Sequence, residues 1–172
     1  EVERVWSLIE DIYPYCRSIT GKGVRDTLAR VAREIALEVH EVPSGTAALD
    51  WEIPDEWNVR DAYIAGAAGR RVVDFRRNNL HLMSYSTAVR ARMNLESLRP
   101  HLHSRAERPD WIPYRTSYWR RDWGFCLAHR QLEGLPPGDY EVVVDSTLAP
   151  GSLTYGEFFV PGASRAEGHI ST

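Results

Sequence analysis

The sequence predicts an α+β chain. Apolar residues recur at helical spacing through Ile35, switch to strand spacing from Leu37, and from Thr46 onward fall into short β-type runs cut by turn residues. A repeat of about 3.6 residues gives one buried stripe on a helix and a repeat of two gives one buried face on a strand, so a change of period marks a change of element.

Residues 2–15 put Val2, Val5, Trp6, Ile9 and Tyr13 on one stripe of a first helix, which Pro14 ends. A polar turn over 17–23 follows. Val24, Leu28, Val31 and Ile35 then mark a second helix running to about Glu34. Leu37, Val39 and then His40, Val42 alternate as a strand that Pro43, Ser44 and Gly45 close. From Thr46 to about Gly151 only 93–103 has helical periodicity, so this stretch is expected to be a β-sandwich-like module. Its clearest hairpin joins 62–65 to 71–75 across Gly66, Ala67, Ala68 and Gly69. Further strands are expected at 80–85, 124–128, 139–145 and 152–160, with turns at 136–138 and 149–151 and a polar loop at 104–113. Beyond the break at Pro161 and Gly162, residues 168–172 read as a strand that has barely begun. The expected division is 1–45, 46–150 and 151–172.

Length and composition narrow the function classes. A chain of 172 residues suffices for one core, or for one inserted module plus part of a second domain. With 43% hydrophobic residues, 26% charged residues and a net charge of −3, it is neither disordered in composition nor basic enough to favour nucleic acid as a partner. No apolar run approaches the roughly 20 residues of a membrane helix. The acidic start at Glu1 and Glu3 lacks the basic and apolar regions of a signal peptide, which predicts a cytoplasmic protein. Cys16 and Cys126 share no paired spacing and are expected to be reduced, buried thiols.

Candidate chemistry is sparse. His101 and His103 form an HxH pair, but two ligands do not make a metal site, and loop histidines are the preferred reading. His40-Glu41 is followed by Val42-Pro43, so the second histidine of an HExxH helix is missing. Ser44 lacks the GxSxG frame of a nucleophile elbow and reads as a turn serine. Cys126 and His129 would fall on opposite faces of a strand, and Gly21 and Gly23 belong to no phosphate-binding motif. No catalytic or metal-ligating residue is assigned. Trp51, Trp57, Trp111, Trp119 and Trp123 all lie in the β section beside Asp, Arg and Asn. Aromatic faces flanked by polar groups suit a sugar or peptide, although a small β module also uses aromatics as core. Arg76-Arg77 and Arg120-Arg121-Asp122 read as solvated edges.

Several longer strings carry a family resemblance. They are Tyr13-Pro14-Tyr15-Cys16-Arg17-Ser18-Ile19-Thr20-Gly21, His40-Glu41-Val42-Pro43-Ser44-Gly45, Trp57-Asn58-Val59-Arg60-Asp61-Ala62-Tyr63-Ile64, Asp145-Ser146-Thr147-Leu148 and Gly151-Ser152-Leu153-Thr154-Tyr155-Gly156-Glu157. Together they resemble bacterial aminopeptidase-like proteins of polysaccharide-biosynthesis loci. The resemblance implies an α/β zinc-aminopeptidase-type catalytic domain, interrupted by a β-rich insert and followed by a winged-helix-like domain. Residues 1–45 and 151–172 would then be catalytic-domain pieces around an insert at 46–150, and the family's metal-site motif would follow Thr172. It implies zinc in the full-length protein and none held by this segment, with metal-activated water attacking an amide or peptide bond of a small peptide-like or amide-containing substrate, with or without a linked glycan. The segment alone would be inactive. Substrate contacts from this half are expected from the aromatic loops at Trp51, Trp57 and Trp119. The alternative is a glycan- or peptide-binding module on a degenerate aminopeptidase scaffold.

Overall fold

The computed structural model describes residues 2–118 and 120–162. The expected strand at 168–172 and the side chain of Trp119 lie outside the described residues.

Two helices open the chain, α1 (Val2–Ile12) and α2 (Lys22–Val31), followed by β1 (Glu38–Pro43). A small hairpin of β2 (Ala47–Ala48) and β3 (Trp51–Glu52) leads into β4 (Glu56–Ala65) and β5 (Arg71–Asp74). After a single 3-10 turn at Asn79–His81 come β6 (Val89–Asn94), the one-turn helix α3 (Leu95–Leu98), a second 3-10 turn, and the paired β7 (Leu102–His103) and β8 (Phe125–Cys126). The short helix α4 (His129–Glu133), β9 (Asp139–Ala149) and β10 (Ser152–Glu157) complete the described chain. The mixture of helix and strand is the α+β class.

The middle of the chain is built on one antiparallel sheet in the order β5-β4-β9-β6. Its inner face presents Trp57, Ala62, Ile64, Val142 and Val144, and the covering layer supplies Leu82, Tyr85, Leu98, Leu102, Phe125 and Leu127. That layer is made of irregular segments, the one-turn helix α3 and the two-residue β7–β8 pair, so the β-sandwich-like module expected has one full sheet and no second one among the described residues. The run 80–85 shows why. The Asn78 side chain accepts from Leu80 N at 3.0 Å and starts a 3-10 turn instead of a strand. The chain beyond it bonds piecemeal, Met83 N to Gly124 O and Ser84 N to Arg115 O. Residues 81–86 are all buried, so an apolar run that could be a core strand is instead a core loop.

A bulge in β4 between Val59 and Asp61 decides which side chains point inward. Without it Trp57 and Ile64 would face opposite sides of the sheet, because side chains alternate. One inserted residue changes the parity and buries both.

β1 and β10 form a separate antiparallel ribbon, with Glu38 opposite Glu157 and Pro43 opposite Ser152. The positions where the chain enters and leaves the middle section are thus neighbours. Neither α1 nor α2 has a buried residue. Val2, Val5, Trp6, Ile9 and Tyr13 are between 45% and 83% exposed, so the apolar stripe of α1 is laid open. Phe158, Phe159 and Val160 beyond β10 are exposed as well. No helix among the described residues is long and apolar enough to cross a membrane.

Candidate functional site

The joint between ribbon and sheet is polar. Arg25, from α2, gives two hydrogen bonds to the Glu56 carboxylate at 2.9 and 2.6 Å and one to Glu41 at 2.8 Å. Asn58 Nδ2 donates to Glu56 at 3.0 Å, and the Asn58 side-chain oxygen accepts from Lys22 N at the start of α2. Thr154 of β10 donates to Glu41 at 3.2 Å. The Arg25 guanidinium is the main reason that the Glu56 carboxyl is held down to about 2 and that Glu41 is also lowered. Beside this cluster Thr20 Oγ1 accepts from Trp57 N at 3.0 Å and lies 2.6 Å from the Tyr85 hydroxyl. The Tyr85 phenol is pushed up to about 12 by burial, so it stays a neutral hydroxyl.

Against this joint lies a cleft of about 970 Å³, with Trp51, Glu52, Asp55, Tyr118, Arg120 and Arg121 among its lining side chains. One wall is the segment 44–55. Ser44 locks it: its hydroxyl donates to Pro54 O at 2.9 Å and accepts from Gly151 N at 3.0 Å. The opposite wall is Ser117, Tyr118, Arg120 and Arg121, and Arg121 ties it to Asp55 at 3.0 Å. Tyr85 also lines the cleft, its ring stacked on Trp57 at 5.7 Å and edge-on to Tyr118 at 4.7 Å. Tyr85 has a φ of 66°, the left-handed region that a bulky residue adopts only when its surroundings impose it. The cleft is therefore an aromatic-walled trough with fixed charges, the chemistry that holds a polar ring or an extended peptide.

The three tryptophans singled out from the sequence separate here. Trp51 lines the cleft. Trp57 is 3% exposed, with its indole N–H donating to Ser86 O at 2.9 Å, and it belongs to the core. Trp119 is outside the described residues, but its neighbours Tyr118 and Arg120 line the cleft. The Trp57→Phe variant is accordingly expected to lose at least about 1 kcal/mol of stability through the lost indole hydrogen bond and the space the smaller ring leaves in the core, Ser86 O keeping the Ser146 hydroxyl at 2.8 Å. Trp51→Phe, at a half-buried residue of the cleft wall, is expected to lower the melting temperature less than Trp57→Phe, and thermal melts of the two variants check the order. Tyr85, Tyr118 and the Arg121–Asp55 tie were not found from the sequence. A tyrosine at positive φ leaves no sequence mark, and partners 66 positions apart leave no local spacing.

The histidines have structural partners. His101 stacks on Trp123 at 3.6 Å between ring centres, and its Nδ1 is 3.0 Å from the Trp123 carbonyl. His103 Nδ1 accepts from Arg115 at 3.2 Å. Among the described residues no three His, Cys, Asp or Glu side chains are grouped so as to hold a metal ion. These residues do not fit a zinc centre. Cys126 is fully buried and Cys16 partly so, and burial pushes both thiols up to about 11.

Residues 56–147, the span from the start of β4 to near the end of β9, match the model of a domain of unknown function, DUF2172. The chain belongs to the DUF2172 family. Within the DUF2172 segment lie the sheet and its covering loops, whereas the 44–55 wall of the cleft and Pro150 lie outside it, so the cleft straddles the segment's edge. A Clostridium acetobutylicum protein is 48% identical over 168 residues, covering 98% of this chain and 39% of its own length; its provisional name is polysaccharide biosynthesis protein with aminopeptidase-like domain. A crystal structure at 2.37 Å of a protein from the same organism, provisionally named a peptidase, superposes with a TM-score of 0.88 and 49% identity. It covers 93% of this chain and 38% of that one. The chain thus spans about two-fifths of the length of either relative.

Proposed function

We propose that this chain is the front portion of a cytoplasmic, zinc-dependent aminopeptidase-like hydrolase that cleaves an amide or peptide bond in a small peptide-like or amide-containing substrate, with or without a linked glycan. Residues 1–45 and 151–172 belong to the catalytic domain in this reading, and 46–150 is an insert that helps select the substrate. The observation that carries it is the β1–β10 ribbon. Because Pro43 faces Ser152, the DUF2172 segment can leave and rejoin a larger domain without separating the two ends of the insertion. The open apolar stripe of α1 supports the same reading, since a helix with a bare apolar face is suited to packing against a further part of a larger domain. The names of the C. acetobutylicum relatives supply the reaction class. The described residues supply no zinc ligand set, so the metal would be held elsewhere in the longer protein, and these 172 residues alone would be inactive.

The test is metal content together with aminopeptidase activity, measured on the longest natural form and on the 172-residue form side by side. About two zinc ions per chain and hydrolysis in the long form alone are expected. A long form with neither metal nor hydrolysis would overturn the enzyme reading in favour of a glycan- or peptide-binding module using the 970 Å³ cleft.

A further inference from the structure

A second cleft, of about 530 Å³, shares no lining residue with the larger one. His103, Ser104, Arg105, Trp111, Tyr114 and Arg115 line it. Trp111 and Tyr114 are 61% and 60% exposed, an unusual surrender of aromatic surface to water. The charge balance around them is one-sided. Glu107 is engaged by Arg105 at 2.7 Å and Asp110 by Arg130 at 3.0 Å. Arg115 has no carboxylate within salt-bridge distance among the described residues, and one of its N–H groups goes to His103 Nδ1. Burial, and then the Arg115 charge, hold the His103 ring below its ordinary pKa, so it accepts as a neutral imidazole and leaves the guanidinium charge uncompensated. By contrast Arg25, Arg30 and Arg71 each hold two carboxylates.

The walls of this cleft are fixed in advance. Ser104 Oγ is bonded to His129 Nδ1 at 2.9 Å, Arg130 N donates to Pro109 O, and Trp111 N donates to Arg108 O. Arg115 is held at the core by its carbonyl, which accepts from Ser84 N at 2.8 Å. Such a site loses little entropy on binding.

We propose that this cleft binds a sugar ring carrying one anionic group, a carboxylate or a phosphate. The anion accepts paired N–H bonds from Arg115, and the C–H face of the ring packs on Trp111 or Tyr114. A neutral sugar supplies only the second contact and a bare anion only the first. The proposal stands independently of amide hydrolysis, because it concerns a different cleft and is read by binding alone.

The longest natural form would be titrated calorimetrically with D-glucuronate, glucose 6-phosphate, glucose and inorganic phosphate. Glucuronate or glucose 6-phosphate is expected to bind at least about tenfold more tightly than both glucose and inorganic phosphate, and the stronger of the two identifies the anion. Arg115→Gln and Trp111→Ala, each checked for an unchanged melting temperature, are each expected to weaken that binding about tenfold or more. Arg90→Gln, at an exposed arginine on β6, is expected to leave it unchanged. Inorganic phosphate binding as tightly as the stronger of the two anionic sugars would overturn the proposal, as would anionic sugars no better than glucose or binding indifferent to both variants.

Discussion

Gly21→Ala is expected to destabilise the protein by at least about 3 kcal/mol. Gly21 precedes α2 with φ 87° and ψ −178°, a conformation reached almost only without a side chain. A Cβ there would also stand 2.2 Å from the Trp57 carbonyl oxygen and 2.9 Å from the Asn58 side-chain oxygen. Neither can yield cheaply. The carbonyl belongs to β4, whose Trp57 N is bonded to Thr20, and the Asn58 oxygen caps α2 through Lys22 N. The substitution would push α2 off the sheet and with it Arg25, the residue that joins ribbon to sheet. Gly66→Ala is the control, because nothing lies within 4 Å of a Cβ at that position and its φ is not positive. Urea unfolding of the two variants should separate them by most of that 3 kcal/mol; equal stabilities would show that α2 is not seated as described.

Gly21 also shows where reading the sequence stops. Its place in a turn before a helix is visible from the pattern of 17–35, as are both helices, β1 and the β4–β5 hairpin. All of these rest on periodicity or turn chemistry within a dozen residues. β6 was equally visible in principle, since Val89, Ala91 and Met93 alternate with Arg90, Arg92 and Asn94, but two arginines disguise a strand whose outer side faces water. The tryptophans were not separable. Trp51 and Trp57 both stand among acidic neighbours, and only the bulge after Val59 turns Trp57 into the core. The larger cleft could not be read, because its walls come from different parts of the chain, and the smaller, lined by residues between His103 and Arg115, falls where the sequence reads only as a polar loop. Partners such as Arg121 and Asp55, or Ser104 and His129, meet only once the sheet and its covering loops are packed.

Arg25→Met is expected to cost about 2 kcal/mol at pH 7 and to make the protein less sensitive to acid. The variant leaves the Glu56 carboxylate, whose side chain is only 18% exposed, with Asn58 and a long contact to Ser152 N as its remaining partners. Breaking a fully buried ion pair costs about 3–5 kcal/mol, and the smaller figure allows for the solvent that reaches Arg25. The pH dependence follows from the same contact. In the folded protein Glu56 titrates at about 2 instead of its ordinary 4.5, so folding is favoured by the ionised form. That contribution is complete above pH 5 and is lost as the pH falls through 4.5 toward 2. Glu41, lowered first of all by Arg25, acts in the same direction. Without the guanidinium both carboxyls return toward their ordinary values, and the variant has nothing comparable to lose. Thermal melts at pH 7, 4 and 2 should therefore show a parent protein that is the more stable at neutral pH and a gap that narrows on acidification. A gap that stays constant would mean that Arg25 acts through the packing of its alkyl chain. A gap that closes identifies the Arg25–Glu56 pair as the clasp between the β1–β10 ribbon and the DUF2172 sheet.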